Sequence, residues 1–291
     1  MDELIRQVSR LTGIDGTTMR NLQREVLAID EEWTSVYSDY HTGGWLTLSL
    51  LNSTRKATDT IIEHCEPFET DLLLKMPEAR ALLNELGFKY MWVRLARIEP
   101  GTFFWEHRDY QELENADRFR IHIPVITNES AYLIINGARI HLPVGHLWKL
   151  DPVHRHGACN FGAEPRVHVL VDCYRDAALD AHLAGEFLDP DWLRTLPSAS
   201  APVLDRALAA AEVMARAGRE EAAELSLLKL FHTYELEEGG SYDLVSRMYA
   251  ALGEHGKSAL WQRKKAKFLY GAEGEFDTPA EENSATAAFV A

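Results

Sequence analysis

Three side chains of types that bind a transition metal stand at His107, Asp109 and His156. On an extended segment residues i and i+2 project to the same side. The His-x-Asp of 107–109 can therefore present an imidazole and a carboxylate to one ion. Two imidazoles and one carboxylate on one face of an octahedron form the ligand set of non-haem iron(II) oxygenases, and they leave the other positions open. The second histidine must arrive from a distant strand, and His154 and His156 are both candidates. His156 is preferred because Arg166 follows ten residues later, where a strand–turn–strand return brings it beside the ion. A guanidinium is a rigid fork that grips a carboxylate through two hydrogen bonds. The far carboxylate of a co-substrate such as 2-oxoglutarate needs that grip. Arg120, or else Arg97, is the candidate for holding a substrate carboxylate; the competing reading of Arg97 is a salt bridge along its strand. His168, two residues from Arg166, reads as a supporting group, and His141 and His146 as structural or exposed.

Other chemistry fits the same residues less well. Three ligands and an open position also suit a zinc-dependent hydrolase, but that reading gives Arg166 nothing to do. A non-catalytic metal-binding jelly roll is a further alternative, with its helical C-terminal part as an interaction surface. Halogenation needs the carboxylate position vacated for chloride, and Asp109 fills it.

The elements that must position these residues are mostly strands. Tyr90–Ile98 is rich in β-formers, and strands are expected near 119–126, 131–135, 138–142, 146–150 and 166–174. Asn136-Gly137 between two apolar runs is a type I′ hairpin signal. Phe119, Ile121 and Ile123 alternate with Arg120 and His122, and Val167, Val169 and Val171 alternate with Arg166, His168 and Asp172. Polar faces of that kind line a cavity when the sheet curls. Many short strands with tight turns predict a mainly β fold with added α: a double-stranded β-helix (jelly-roll, cupin-like) core. Helices are expected over 1–30 and 68–87, and a further strand over 46–52 after the turn at Gly43-Gly44. Trp33, Tyr37 and Trp45 read as core aromatics. The Ser/Ala/Pro stretch 196–202 reads as a linker. It divides a dioxygenase-like unit with its N-terminal helices (1–195) from a helical C-terminal domain (203–271), with long helical patterns at 203–235 and 241–271. The tail 272–291 has five acidic residues and no basic one and is expected to be disordered.

Bulk properties narrow the partners. The 291 residues carry a formal net charge of −15, which disfavours a nucleic-acid partner. No apolar run approaches the roughly 20 residues of a membrane span. The opening MDELIRQVSR lacks the apolar core of a signal peptide. Cys65, Cys159 and Cys173 show no paired spacing, as expected of reduced thiols. A cytoplasmic protein acting on a small molecule is expected, with a homo-oligomer left open.

Pro-Gly-Thr-x-x-Trp-x-His at 100–107, Arg-Ile-His at 120–122 and His156 with Arg166 resemble the aspartyl/asparaginyl β-hydroxylase family of 2-oxoglutarate dioxygenases, with similar order and spacing over 93–176. A closer likeness is to bacterial proline 3-hydroxylases. It runs through His107-Arg108-Asp109-Tyr110, Phe119-Arg120-x-His122, Gly145-x-x-Trp148-x-Leu150-Asp151 and Asn160-Phe161. It extends more loosely to Gly44-Trp45, Leu51-Asn52-Ser53 and His232-Thr233-Tyr234. The resemblance implies a jelly-roll core that uses Fe(II), 2-oxoglutarate and O2. It implies hydroxylation of an unactivated carbon of an amino acid, free, within a peptide or carrier-bound, with release of succinate and CO2. It also implies a co-substrate contact for His122. Aspartyl β-hydroxylases proper lack the carboxylate ligand; Asp109 follows the proline hydroxylases instead. Where proline 3-hydroxylases carry a further co-substrate histidine, this chain has the apolar Leu133-Ile134-Ile135.

Overall fold

Period-two patterning sets the fold. In Arg118–Ile126, Ile121, Ile123 and Val125 are fully buried on one face, while Arg120 and His122 are buried on the other. A strand buried on both faces lies between two layers, and its polar face must line something polar. The computed structural model describes residues 2–36, 38–109 and 118–271; Tyr37, Tyr110 and the 272–291 tail fall outside them.

The strands in chain order are β1 (Val8–Gly13), β2 (Thr34–Ser35), β3 (Trp45–Asn52), β4 (Phe68–Glu69), β5 (Lys89–Ile98), β6 (Thr102–Phe103) and β7 (Arg118–Ile126). They continue with β8 (Ala131–Ile135), β9 (Ala138–Ile140), β10 (His146–Leu150), β11 (His156–Asn160), β12 (Arg166–Tyr174) and β13 (Leu193–Thr195). They form two antiparallel sheets. The larger runs β1-β10-β7-β12-β5-β3-β2, with β4 on β3, and the smaller runs β13-β9-β8-β11-β6. Leu133 and Ile135 of the smaller sheet share one apolar cluster with Trp148 and Leu150 of the larger, so the sheets close face to face at that end. This is a double-stranded β-helix with helices on its outer faces. Asn136 and Gly137, both at positive φ (49° and 72°), make the β8–β9 turn.

Helices cover the outside. They are α1 (Asp2–Gln7), α2 (Gly16–Leu27), α3 (Asp71–Leu74), α4 (Pro77–Leu86), α5 (Ala177–Leu183), α6 (Ala201–Arg216), α7 (Glu220–Leu228), α8 (Gly240–Ala251) and α9 (His255–Tyr270). Asp15 caps α2 by accepting from the backbone N–H groups of Thr17 and Thr18. Pro77 opens α4, and Gly87 closes it at φ 62°. Both helices lay Leu22, Val26, Leu82 and Leu83 on the apolar face of the larger sheet, against Leu95, Ile121 and Val169. Burying each such leucine contributes about 2–3 kcal/mol. Helices α6–α9 pack on the outer face of the smaller sheet, where Phe103, Trp105, Tyr132, Ile134 and Cys159 join Leu227, Tyr242 and Trp261 in one cluster. No helix among the described residues is long and apolar enough to cross a membrane.

Two expectations need correction. Residues 1–30 are not one helical segment: Val8–Gly13 is a strand, with Val8 opposite Leu150 at the edge of the larger sheet. Pairing with an open edge outweighed a 3.6-residue spacing carried by only a few apolar residues. The patterns at 203–235 and 241–271 are each broken by a glycine in the left-handed region, Gly218 at φ 76° and Gly253 at φ 81°. Strand β11 supplies the distant strand expected to carry His156, although His-Gly-Ala-Cys-Asn has little intrinsic strand preference to mark its bounds.

Candidate metal centre

The His-x-Asp segment is held straight by its neighbours. Gly101, at φ 80°, turns the chain. Phe104 N–H then donates to Ala158 O at 2.8 Å, and His107 and His156 exchange backbone hydrogen bonds at 3.0 and 2.9 Å. Asp109 N–H donates to Pro152 O at 2.9 Å. Residues 104–109 therefore extend the smaller sheet alongside β11 and bring the two histidine rings to 4.4 Å between centroids.

The imidazoles are in the form that could bind a metal. Nδ1 of His107 contacts Trp105 O at 2.7 Å, and Nδ1 of His156 contacts His154 O at 2.9 Å. A carbonyl only accepts, so each Nδ1 carries the proton and each Nε2 keeps its lone pair. The two Nε2 atoms lie 3.6 and 3.9 Å from the Asp109 carboxylate oxygens. One ligand atom from each of the three residues falls within a 4.8 Å group. An ion with bonds of about 2 Å spans such separations. The donor set and its tautomers thus fit a divalent transition metal, with Nδ1–H anchored to backbone as metal-binding histidines require. His154 is half exposed beside Asp151, and only its carbonyl serves the site.

Electrostatics favour the ligand forms. Burial lowers the pKa of His107, and that of His156 to about 3, so both rings are neutral. Burial pushes the Asp109 carboxyl up, but the Arg120 guanidinium, by charge and hydrogen bond, outweighs it and holds the group well below the usual carboxylate range. Arg120 donates Nε and Nη2 to the two oxygens of Asp172 at 2.9 and 3.2 Å and Nη1 to Asp109. The guanidinium expected to bind substrate is thus engaged by two carboxylates of the protein.

Register defines the rest of the cavity. Leu170 of β12 pairs with Arg94 of β5 and with His122 of β7, and His122 pairs with Trp148 of β10. Arg94, His122, Arg166 and His168 all face inward and are buried. Arg97 does not join them. It is three residues from Arg94, hence on the opposite face, where it pairs with Glu99 at 2.7 Å and lies over Trp33. Arg94, stacked 3.7 Å over the Trp92 ring, is the inward arginine of β5 that sequence reading passed over; alternation with Trp92 was the available signal.

Arg166 has no ion-pair partner among the described residues. Its Nε and Nη2 face the two ring nitrogens of His168 at 3.0 and 2.8 Å. A neutral imidazole offers one lone pair, so at most one of these contacts is a full hydrogen bond. Burial lowers the Arg166 pKa to about 9. His122 reaches toward the same pair: its Nδ1 is 3.4 Å from His168 Nδ1, and its Nε2 is buried without a hydrogen-bond partner among the described residues. Burial, then the Arg166 and Arg120 charges, hold His122 well below the ordinary value. Cys159 is fully buried on the helical side with its thiol pushed up to about 12, a small apolar residue in effect.

The chain has relatives among known proteins. The chain is 29% identical over 150 residues to L-proline cis-4-hydroxylase of Rhizobium meliloti (strain 1021), covering 48% of this chain and 51% of that protein. The chain thus spans about half the length of the curated relative it matches. That relative hydroxylates position 4, whereas the motifs pointed toward proline 3-hydroxylases. Among solved structures, an oxidoreductase of the 2OG-Fe(II) oxygenase family from Burkholderia pseudomallei aligns with a TM-score of 0.42 and 12% identity, over 59% of this chain and 85% of that one. A Pseudomonas putida prolyl-4-hydroxylase aligns with a TM-score of 0.40 and 14% identity, over 60% and 97%. Residues 16–176, over half of the chain, match the sequence model for aspartyl/asparaginyl beta-hydroxylase. That span contains His107, Asp109, His156 and Arg166, and by it the chain belongs to the aspartyl/asparaginyl β-hydroxylase family.

Proposed function

We propose that this protein is an Fe(II)- and 2-oxoglutarate-dependent dioxygenase that hydroxylates an unactivated carbon of an amino acid. The observation that carries the reading is Arg166: a buried guanidinium with no carboxylate partner among the described residues, in a chain that also brings a His/Asp/His triad together. A buried charge of that kind calls for an anionic partner, and a zinc hydrolase has no use for one there. Family membership and the proline hydroxylase likeness support the same reading.

Iron bound with 2-oxoglutarate and O2 supplies the oxidising power to hydroxylate an unactivated carbon, with succinate and CO2 as co-products. The protein supplies the rest. His107, Asp109 and His156 would hold the metal, and Arg120 fixes the Asp109 carboxylate. Arg166 takes the far carboxylate of the co-substrate in its fork, with His168 bracing the guanidinium. His122 offers its buried Nε2 to the same co-substrate. Arg94 takes over from Arg97 the role of meeting a substrate carboxylate. Trp45 and Trp92 flank it and keep that side of the cavity dry. A free amino acid is the preferred substrate, because a carboxylate next to the reacting carbon gives an inward arginine something to bind.

The test is a panel of free amino acids and short peptides with Fe(II) and 2-oxoglutarate. We expect O2-dependent succinate release stimulated by a free amino acid, with product gaining the mass of one oxygen. Succinate formation that no member of the panel stimulates would remove the amino-acid assignment. No O2-dependent turnover of 2-oxoglutarate would remove the dioxygenase reading.

A further inference from the structure

Glu106 is fully buried and stands immediately before His107. Arg155 stands immediately before His156. Their side chains meet on the side of the sheet away from the imidazoles, with Arg155 Nη1 3.0 Å from Glu106 Oε1. The C-terminal helical unit completes the arrangement. Gly239 N–H, just before α8, donates to Glu106 Oε2 at 2.9 Å, and the Tyr242 hydroxyl donates to the Glu106 carbonyl at 2.6 Å. Arg155 also donates to Leu236 O at 3.2 Å. Further contacts run the same way. Arg108 N–H donates to Phe268 O at 2.9 Å, and the Arg108 side chain reaches Glu238 at 2.8 Å. His232 Nε2 lies 2.7 Å from Phe104 O.

We propose that Glu106 and Arg155, held by Gly239 and Tyr242, form a clamp by which the C-terminal helices fix the backbone carrying both metal-binding histidines. The inference rests on the metal-centre reading given above. A buried carboxylate in a partly exposed ion pair is a poor device for stability alone, since an apolar side chain of the same volume avoids its desolvation. What it provides here is direction. Both side-chain oxygens of Glu106 and its backbone oxygen are engaged, which fixes the peptide plane leading into His107. The helical unit thereby positions the metal site from behind without contributing a ligand.

The test uses the full chain and Co(II) as a probe, read by its visible absorption bands and by titration, with thermal stability measured in parallel. Glu106→Ala is expected to weaken Co(II) binding about tenfold or more and to alter the band pattern. Glu106→Gln, which keeps one acceptor oxygen for Gly239 but sets an NH2 donor against Arg155, is expected to recover only part of that loss. Tyr242→Phe, which removes a single hydroxyl, covers the case in which Glu106→Ala does not fold and is expected to weaken binding measurably. Tyr249→Phe removes a hydrogen bond to Glu224 inside the helical unit and serves as the stability control. It is expected to bind as the parent does. Parent-like Co(II) binding in Glu106→Ala, or in Tyr242→Phe should the alanine variant not fold, overturns the clamp if His107→Ala has lost binding. Equal weakening in Tyr249→Phe overturns it too. If His107→Ala binds Co(II) like the parent, the metal-centre reading itself falls, and the clamp with it.

Discussion

Arg120 and Asp109 are joined by a charge-assisted hydrogen bond across the mouth of the triad, and Asp172 holds the other side of the same guanidinium. The Asp109 carboxylate, proposed to bind a metal with one oxygen, is thereby oriented through the other. Arg120→Lys replaces a planar fork with a single ammonium that cannot serve both carboxylates. We expect metal affinity to fall by about 10–100-fold, the usual effect of losing a group that orients a ligand. Asp109→Ala should abolish iron-dependent turnover while the thermal transition persists. Full activity in Asp109→Ala would exclude it as a ligand.

Arg166 gives a prediction about the co-substrate. Hydrogen bonds to a charged partner contribute about 1.5–3 kcal/mol. Arg166→Ala should therefore raise the KM for 2-oxoglutarate by roughly 10–100-fold. Steady-state kinetics with varied 2-oxoglutarate measure this directly, and an unchanged KM would separate Arg166 from the co-substrate.

Acid should destabilise the metal-free protein early. His107, His156 and His232 are neutral in the fold because burial penalises the imidazolium; His156 is lowered to about 3 and His232 to about 4. Unfolded histidines titrate near pH 6.5, roughly. Below that value the unfolded chain takes up protons that the folded chain refuses, so stability is complete above it and declines toward the folded values. The slope is on the order of 1 kcal/mol per pH unit for each such histidine. Asp109, whose folded pKa is depressed, adds a loss of the same sign as pH falls below the ordinary carboxylate range. Urea midpoints of the apo chain between pH 8 and 5 are expected to start falling near pH 6.5, roughly. A flat profile would contradict the buried neutral state.

Gly157 probes the seam between sheet and helices. A Cβ there would lie 2.8 Å from the Phe231 ring and 3.2 Å from Phe104 O. Gly157→Ala should cost about 1–3 kcal/mol, as overpacking does. A midpoint shift in urea measures it, and an unshifted midpoint would mean that the seam yields without cost.

The chain order by itself determined the strand-rich centre, the His-x-Asp chelate and the inward polar faces of two strands, because a period of two assigns side chains to faces wherever the strand lies. It determined the cap at Gly87 and the hairpin at Asn136-Gly137 through local backbone preference. It could not say which cation meets which anion. Arg94 and Arg97 look alike in the sequence; only the sheet's two different coverings, polar cavity on one side and helices on the other, send them to different fates. Arg120 became the partner of Asp172 because strand register set them side by side, and of Asp109 because the backbone bond to Pro152 brings that carboxylate over it. The helical segment after residue 200 gave no sign of its bearing on the histidines. Glu106 and Gly239 are separated by more than a hundred residues, and only folding the second sheet against the helices brings that carboxylate to its donors.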